Sequence, residues 1–206
     1  MVFIDIHTHN TVAADHAIYN SGTNYLVGRR ISMGIHPWYI GDKWEEELAT
    51  IANFAKAANI VAIGECGMDY LKSTASRALQ EKIFKAHIEL SEKLEKPLII
   101  HCVKAHERLI ALCKERHAVQ PWIIHGFRGK PEQAQQLTRA GFYISLGEHF
   151  NSESARAIPG ERLFIESDES CLPISSIYSS IAAARGKDID ELAAQISSNA
   201  HIFEQF

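Results

Sequence analysis

Short apolar runs recur along the chain, each closing on a polar residue. They are VFIDIH (2–7), AIYNS (17–21), ISMGIH (31–36), IVAIGE (60–65), PLIIH (97–101), PWIIHG (121–126), FYISLG (142–147) and RLFIESD (162–168). Continuous apolar runs of this length fit strands buried on both faces, the pattern of a parallel sheet. Helical stripes separate them. Trp44, Leu48, Ile51 and Ala55 fall at i, i+4, i+7 and i+11, and Leu79, Ile83, His87, Leu90 and Leu94 at i, i+4, i+8, i+11 and i+15. Each set draws one stripe on a helix, and Pro97 marks the end of the second. Shorter helices fit 105–116, 130–140 and 174–185. A last one over 188–203 opens on Asp188 with Glu191 three residues later, as in a capping box.

Alternation of strand and helix without a low-complexity linker predicts a single α/β domain over residues 1–206. Counting the weak run at 17–21, the eight runs predict a TIM (β/α)8-type barrel. The gaps 8–16 and 22–30 are shorter than the dozen or so residues of an ordinary crossover. The barrel is therefore expected to be trimmed or irregular around its second strand, with seven strands as the alternative.

Charge and cysteine content narrow the function classes. Lys and Arg number 21 against 25 Asp and Glu, a net charge of −4. This excludes a broadly basic nucleic-acid coat or a polybasic membrane tether. A local site for an anionic substrate stays open, because bound metal reverses the sign there. The start, MVFIDIHTHN, lacks a basic leader, and no stretch approaches the roughly 20 apolar residues of a membrane span, so a cytoplasmic chain is expected. Cys66, Cys102, Cys113 and Cys171 form no CxxC pair and are expected to be reduced. No obligate protein partner is evident.

The ends of the predicted strands carry the chemistry. His7 and His9, His36, Glu65, His101, His125 and Asp168 stand at or just past them, and these include five of the eleven histidines. In a parallel barrel all those ends meet at one mouth. Spaced i and i+2 on a strand, His7 and His9 share a face. A carboxylate after a buried apolar run, as at Glu65, is costly unless paired or bound to a cation. His101 and His125 each end a strand with proline four residues earlier. Asp168 can ligate a metal and accept a proton from water. Glu166 and Asp5 are supporting carboxylates by position, although a strand-interior hydrogen-bonding role for Asp5 fits equally. Mixed imidazole and carboxylate donors suit Zn²⁺, Mn²⁺ or Mg²⁺. Without His36, the six donors His7, His9, Glu65, His101, His125 and Asp168 exceed the needs of one catalytic ion, so a two-ion site is the economical reading.

At this point the chain resembles the TatD family of metal-dependent hydrolases. The resemblance rests on DIHTHN (5–10), GIHPWY (34–39), GECGMDY (64–70), IIHC (99–102), IIHGFRG (123–129), IESD (165–168) and NAHIF (199–203). It implies a TIM-barrel hydrolase with a two-metal centre and, for several members, deoxyribonuclease activity. By it, His7, His9, Glu65 and Asp168 hold one ion and Glu65, His101 and His125 the other. Asp168 activates water, and His36 lies close to the substrate phosphate. Departures fall on substrate-shaping parts: a short stretch between His9 and His36, Ser167-Asp168-Glu169-Ser170 where the family has Thr-Asp-x-Pro, and Arg128 before Gly129.

The expected activity is cleavage of DNA phosphodiester bonds at strand ends or in short single strands, with Asp168 and Glu65 as catalytic residues and two divalent ions (Mg²⁺, Mn²⁺ or Zn²⁺) as cofactors. Lys104 and Arg128 are candidate phosphate contacts, and Trp38, Tyr70 and Phe127 candidate base-stacking rings. The alternative is a metal-dependent hydrolase of a non-nucleic-acid ester, amide or lactone. Asn199 is expected to be a structural hydrogen-bonder.

Overall fold

The computed structural model describes residues 2–10 and 16–203. Its eight strands are β1 Asp5–Thr8, β2 Ala17–Asn20, β3 Ile31–Met33, β4 Ile60–Asp69, β5 Leu98–Val103, β6 Trp122–Ile124, β7 Tyr143–Leu146 and β8 Leu163–Ile165. They form one sheet with the order β1 to β8, and a parallel bridge between Thr8 and Asp168 brings the end of the series back to its start. This is the TIM-type barrel. Its β1–β2 pairing shifts register between Asp5 and Thr8, and turns and bends fill 21–30, so the second strand is irregular as expected. The β1–β2 connection includes 11–15, which lie outside the described residues.

The chain divides into two compact units, one running up to Tyr19 and again from Ile123, the other Asn20–Trp122. In the Asn20–Trp122 unit, helices α1 Trp44–Phe54, α2 Arg77–Leu94 and α3 His106–Arg116 alternate with the strands. The predicted stripes are the buried faces: Ile51 and Ala55 of the first, and Ile83, His87 and Leu90 of the second, are buried. Ser76 caps α2, its side chain accepting from the Leu79 N–H.

The other unit holds α4 Pro131–Arg139, α5 Ser152–Ala157, α6 Ile174–Arg185 and α7 Ile189–Asn199. Asp188 caps α7 by accepting from the Asp190 and Glu191 N–H groups. Asn199 has the expected structural role: its amide donates to the carbonyls of Gly160 at 2.7 Å and Leu163 at 2.8 Å.

One boundary differs from expectation in a way that matters. The apolar run of β4 stops at Glu65, but the strand does not. Cys66, Gly67, Met68 and Asp69 go on pairing with Ile100, His101, Cys102 and Val103 of β5. Glu65 therefore sits mid-strand, and Asp69 is the true end.

Among the described residues, no helix is long and apolar enough to cross a membrane. All four cysteines are free thiols, and burial pushes the Cys102 thiol up to about 12.

Candidate active site

His7, His9, His36, His125 and Asp168 lie at or just past the C-terminal ends of their strands, whereas Glu65 and His101, both expected to end theirs, sit within β4 and β5, and Asp5 opens β1. Each unit carries its own cluster of donors.

In the Asn20–Trp122 unit, three ligand-type atoms converge. His36 Nε2 lies 2.9 Å and His101 Nδ1 3.0 Å from Glu65 Oε1, and the two ring nitrogens are 3.2 Å apart. The Trp38 N–H donates to His36 Nδ1 at 3.1 Å. That makes Nδ1 an acceptor, so the neutral His36 ring carries its proton on Nε2, facing Glu65. Glu65 is 4% exposed and is held from behind by Asn20, whose amide donates to Oε2 at 2.9 Å and whose carbonyl oxygen accepts the Glu65 N–H at 3.3 Å. His36, expected only at the substrate, thus lies inside the donor cluster.

The loop that carries His36 is braced by His87 of α2. His87 Nδ1 pairs with the Ile83 carbonyl at 2.8 Å, and Nε2 accepts the Ile35 N–H at 3.0 Å. Burial, opposed by the bond to Ile83, holds this imidazole down at about 4. Gly34 is required here: a Cβ would meet the Glu65 carbonyl oxygen at 2.7 Å and Gly64 Cα at 2.8 Å.

In the other unit, the ligand atoms of His7, His125 and Asp168 lie within 4.8 Å of one another. Asp168 Oδ1 stands 3.8 Å from His7 Nε2 and 3.6 Å from His9 Nε2. The backbone sets this spacing, because the Asp168 N–H donates to the His7 carbonyl at 2.9 Å and the His9 N–H to the Asp168 carbonyl at 3.0 Å. Glu166, fully buried, supports His125: its Oε1 accepts the Gly126 N–H at 2.6 Å and lies 3.4 Å from His125 Nδ1. Burial raises the Glu166 carboxyl, but His125, His7 and Ser145 outweigh it and hold the group below its ordinary range.

Asp5 is tied into the end of this unit's sheet. It accepts from the His7 N–H at 3.3 Å, the Ser167 N–H at 3.0 Å and the Ser167 hydroxyl at 2.6 Å. Burial nevertheless pushes its carboxyl up to about 7. Ser167 also bonds Thr8 at 2.7 Å, so serine fills the place of the usual family threonine with its hydroxyl fully engaged.

Both clusters combine imidazoles with carboxylates, buried or nearly so, and their chemistry fits divalent cations. Lys104 and Arg128 are exposed. Of the three candidate stacking rings, Trp38 is 37% exposed while Phe127 is only 3% exposed. Phe127 is a core residue and has no face to offer a base. Asp69, which sequence reasoning overlooked, accepts the Trp38 indole N–H at 2.6 Å and lies 3.1 Å from His101 Nε2. The alternation Glu65, Gly67, Asp69 in GECGMDY was the available signal.

The model of the TatD related DNase family matches residues 4–205. The chain belongs to this family. TatD from Erwinia amylovora, named a 3'-5' ssDNA/RNA exonuclease, is 29% identical over 81% of this chain and 74% of its own length. YabD of Bacillus subtilis, named an uncharacterized metal-dependent hydrolase, is 33% identical over 66% of this chain and 57% of its own. Among solved structures, the YjjV TatD homologue from Escherichia coli superposes with a TM-score of 0.82 at 19% identity, covering 97% of this chain and 96% of that one. The Entamoeba histolytica TatD family hydrolase gives 0.80 at 18% identity, covering 99% and 98%. The protein is a TatD-type metal-dependent hydrolase acting on ester bonds, and the imidazole–carboxylate clusters are its candidate catalytic equipment.

Proposed function

We propose that this TatD-type hydrolase cleaves phosphodiester bonds of DNA, acting at strand ends or on short single strands, with two divalent cations as cofactors. The observation that carries the reading is the pair of donor clusters, His36–Glu65–His101 in one unit and His7–His125–Asp168 in the other. The names of its exonuclease relatives support the choice of nucleic acid.

In this reading His7, His9, Glu65, His101, His125 and Asp168 would be the cation ligands. A bound divalent cation supplies a Lewis acid, acidifying water and offsetting charge on the phosphate and leaving oxygen. The protein's own groups do the rest. Asp168, whose side chain is 26% exposed, accepts the proton of the attacking water at a carboxylate oxygen. Glu166 holds His125 and Asn20 holds Glu65, so neither donor reorganises when substrate arrives. Lys104 and Arg128 each present a cation to phosphate oxygens. Trp38 offers an exposed ring, with the Lys72 ammonium 4.7 Å from its centre, as a place to stack a base.

The alternative, hydrolysis of a non-nucleic-acid ester, amide or lactone, draws on one observation. The loop after Asp168 carries exposed Glu169, and its Ser170 hydroxyl donates to the exposed Glu148, an acidic margin ill suited to a polyanion.

The test is release of nucleotides from end-labelled single-stranded DNA, with RNA in parallel, in Mg²⁺, Mn²⁺ or Zn²⁺. Release that requires the metal and is lost in Asp168→Ala supports the proposal. No release with any of the three, beside turnover of a carboxyl ester, amide or lactone, establishes the alternative.

A further inference from the structure

Asp69 is buried at the end of β4, where donors converge on it from two sides. On one side the N–H groups of Leu71 and Lys72 both donate to Oδ1 at 2.8 Å. On the other, Oδ2 accepts the Trp38 indole N–H at 2.6 Å and lies 3.1 Å from His101 Nε2. Backbone N–H and indole N–H groups can only donate, so both oxygens must remain acceptors. A neutral His101 then carries its proton on Nε2, toward Asp69. Its unprotonated nitrogen is Nδ1, the atom 3.0 Å from Glu65 Oε1 and 3.2 Å from His36 Nε2.

We propose that Asp69 is a positioning residue: it fixes the His101 tautomer so that the Nδ1 lone pair is turned into the Glu65–His36 cluster, and thereby sets that cluster's affinity for a divalent cation. The proposal rests on the reading above that Glu65 and His101 hold a metal. It assigns Trp38 a part as well, since the indole N–H reserves Oδ2 as an acceptor.

Asp69→Asn separates this role from a structural one. The Leu71 and Lys72 N–H groups keep the amide oxygen at the Oδ1 position, so the turn after β4 survives. The amide NH₂ then takes the Oδ2 position and donates toward His101 Nε2, driving the ring proton onto Nδ1. Zn²⁺ titration calorimetry on the full chain reads the consequence, and Glu65→Gln identifies which binding event belongs to this cluster. Asp69→Asn is expected to weaken that event by ~10–100-fold, as loss of an outer carboxylate partner does elsewhere. The metal-free chain should remain cooperatively folded, its midpoint lowered only by the cost of the indole N–H left without an acceptor. Ring ¹⁵N spectra of the metal-free chain should place a proton on His101 Nε2 in the parent, and on Nδ1 with Nε2 bare in the variant.

Unchanged zinc affinity in Asp69→Asn overturns the proposal, as does a parent His101 protonated on Nδ1 alone. A loss of affinity accompanied by loss of folding also overturns it, because Asp69 is then only a brace for the turn. If Glu65→Gln leaves zinc binding intact, it is the metal reading of the cluster that fails.

Discussion

His87 Nε2 accepts the Ile35 N–H at 3.0 Å, one residue before His36. A buried imidazole on a helix thus fixes the backbone that aims a functional imidazole, and it can do so only while neutral. Its folded value of about 4 lies below the ordinary 6.5, so its stabilising effect is complete above pH 6.5 and lost as pH falls toward 4. The displacement from 6.5 to about 4 corresponds to about 3 kcal/mol. Asp5, whose carboxyl is raised to about 7, adds stability as pH falls over the same window, so the His87 contribution is read as the difference between parent and variant in urea unfolding at each pH. Relative to the parent, His87→Gln should lower stability at pH 7 by about 1–3 kcal/mol, the cost of disturbing a buried hydrogen-bonded group, and this deficit should shrink as pH falls from 6.5 toward 4. A deficit that does not change with pH would show that His87 does not play this part.

Glu166 presents a second buried support. Its carboxylate meets both Gly126 and His125. Glu166→Gln retains an acceptor for Gly126 but loses the charge beside the ring. We expect metal affinity to fall by ~10–100-fold with the barrel still folded, as read by calorimetry alongside far-UV circular dichroism. Parent-like affinity would show that His125 needs no carboxylate partner.

Glycine at position 34 is a steric requirement. A methyl there meets only backbone, of Glu65 and Gly64, which cannot swing aside. Gly34→Ala is expected to cost about 3 kcal/mol or more. Gly41→Ala, where nothing lies within 4 Å of the added carbon, should be near neutral. Equal melting temperatures for the two variants would contradict the close approach of these strands.

How much of this was legible beforehand follows from which signals are local. The apolar runs at 60–65 and 97–101 mark their strands because a two-sided buried strand must be apolar throughout. His7, His101 and Asp168 were readable because donor residues recur at strand ends. Asp69 was not: the apolar run ends at Glu65, and the strand continues over Cys66–Asp69 on pairing to β5 that only tertiary structure provides. The same holds for α5, whose six residues are too few to show a period, and for Phe127, placed by its neighbours among candidate stacking rings yet buried by the fold. His87 belongs to an apolar stripe and is buried as that stripe requires. Its bond to Ile35 depends on a partner 52 residues away.

Lys104 and Arg128 test the substrate proposal from the outside. Both are exposed, so alanine at either should leave folding and metal binding intact. Each is expected to raise KM for single-stranded DNA several-fold with kcat nearly unchanged, and to reduce the salt dependence of binding by about one charge. A fall in kcat without change in KM would move them from grip to chemistry.

Whether these imidazoles and carboxylates hold reactive-site cations is read by anomalous diffraction from crystals soaked in Mn²⁺ or Zn²⁺. Anomalous peaks are expected within coordination distance of Glu65 and Asp168. Well-ordered Glu65 and Asp168 side chains with no anomalous density beside either, in crystals whose soak contains saturating metal, would contradict that expectation.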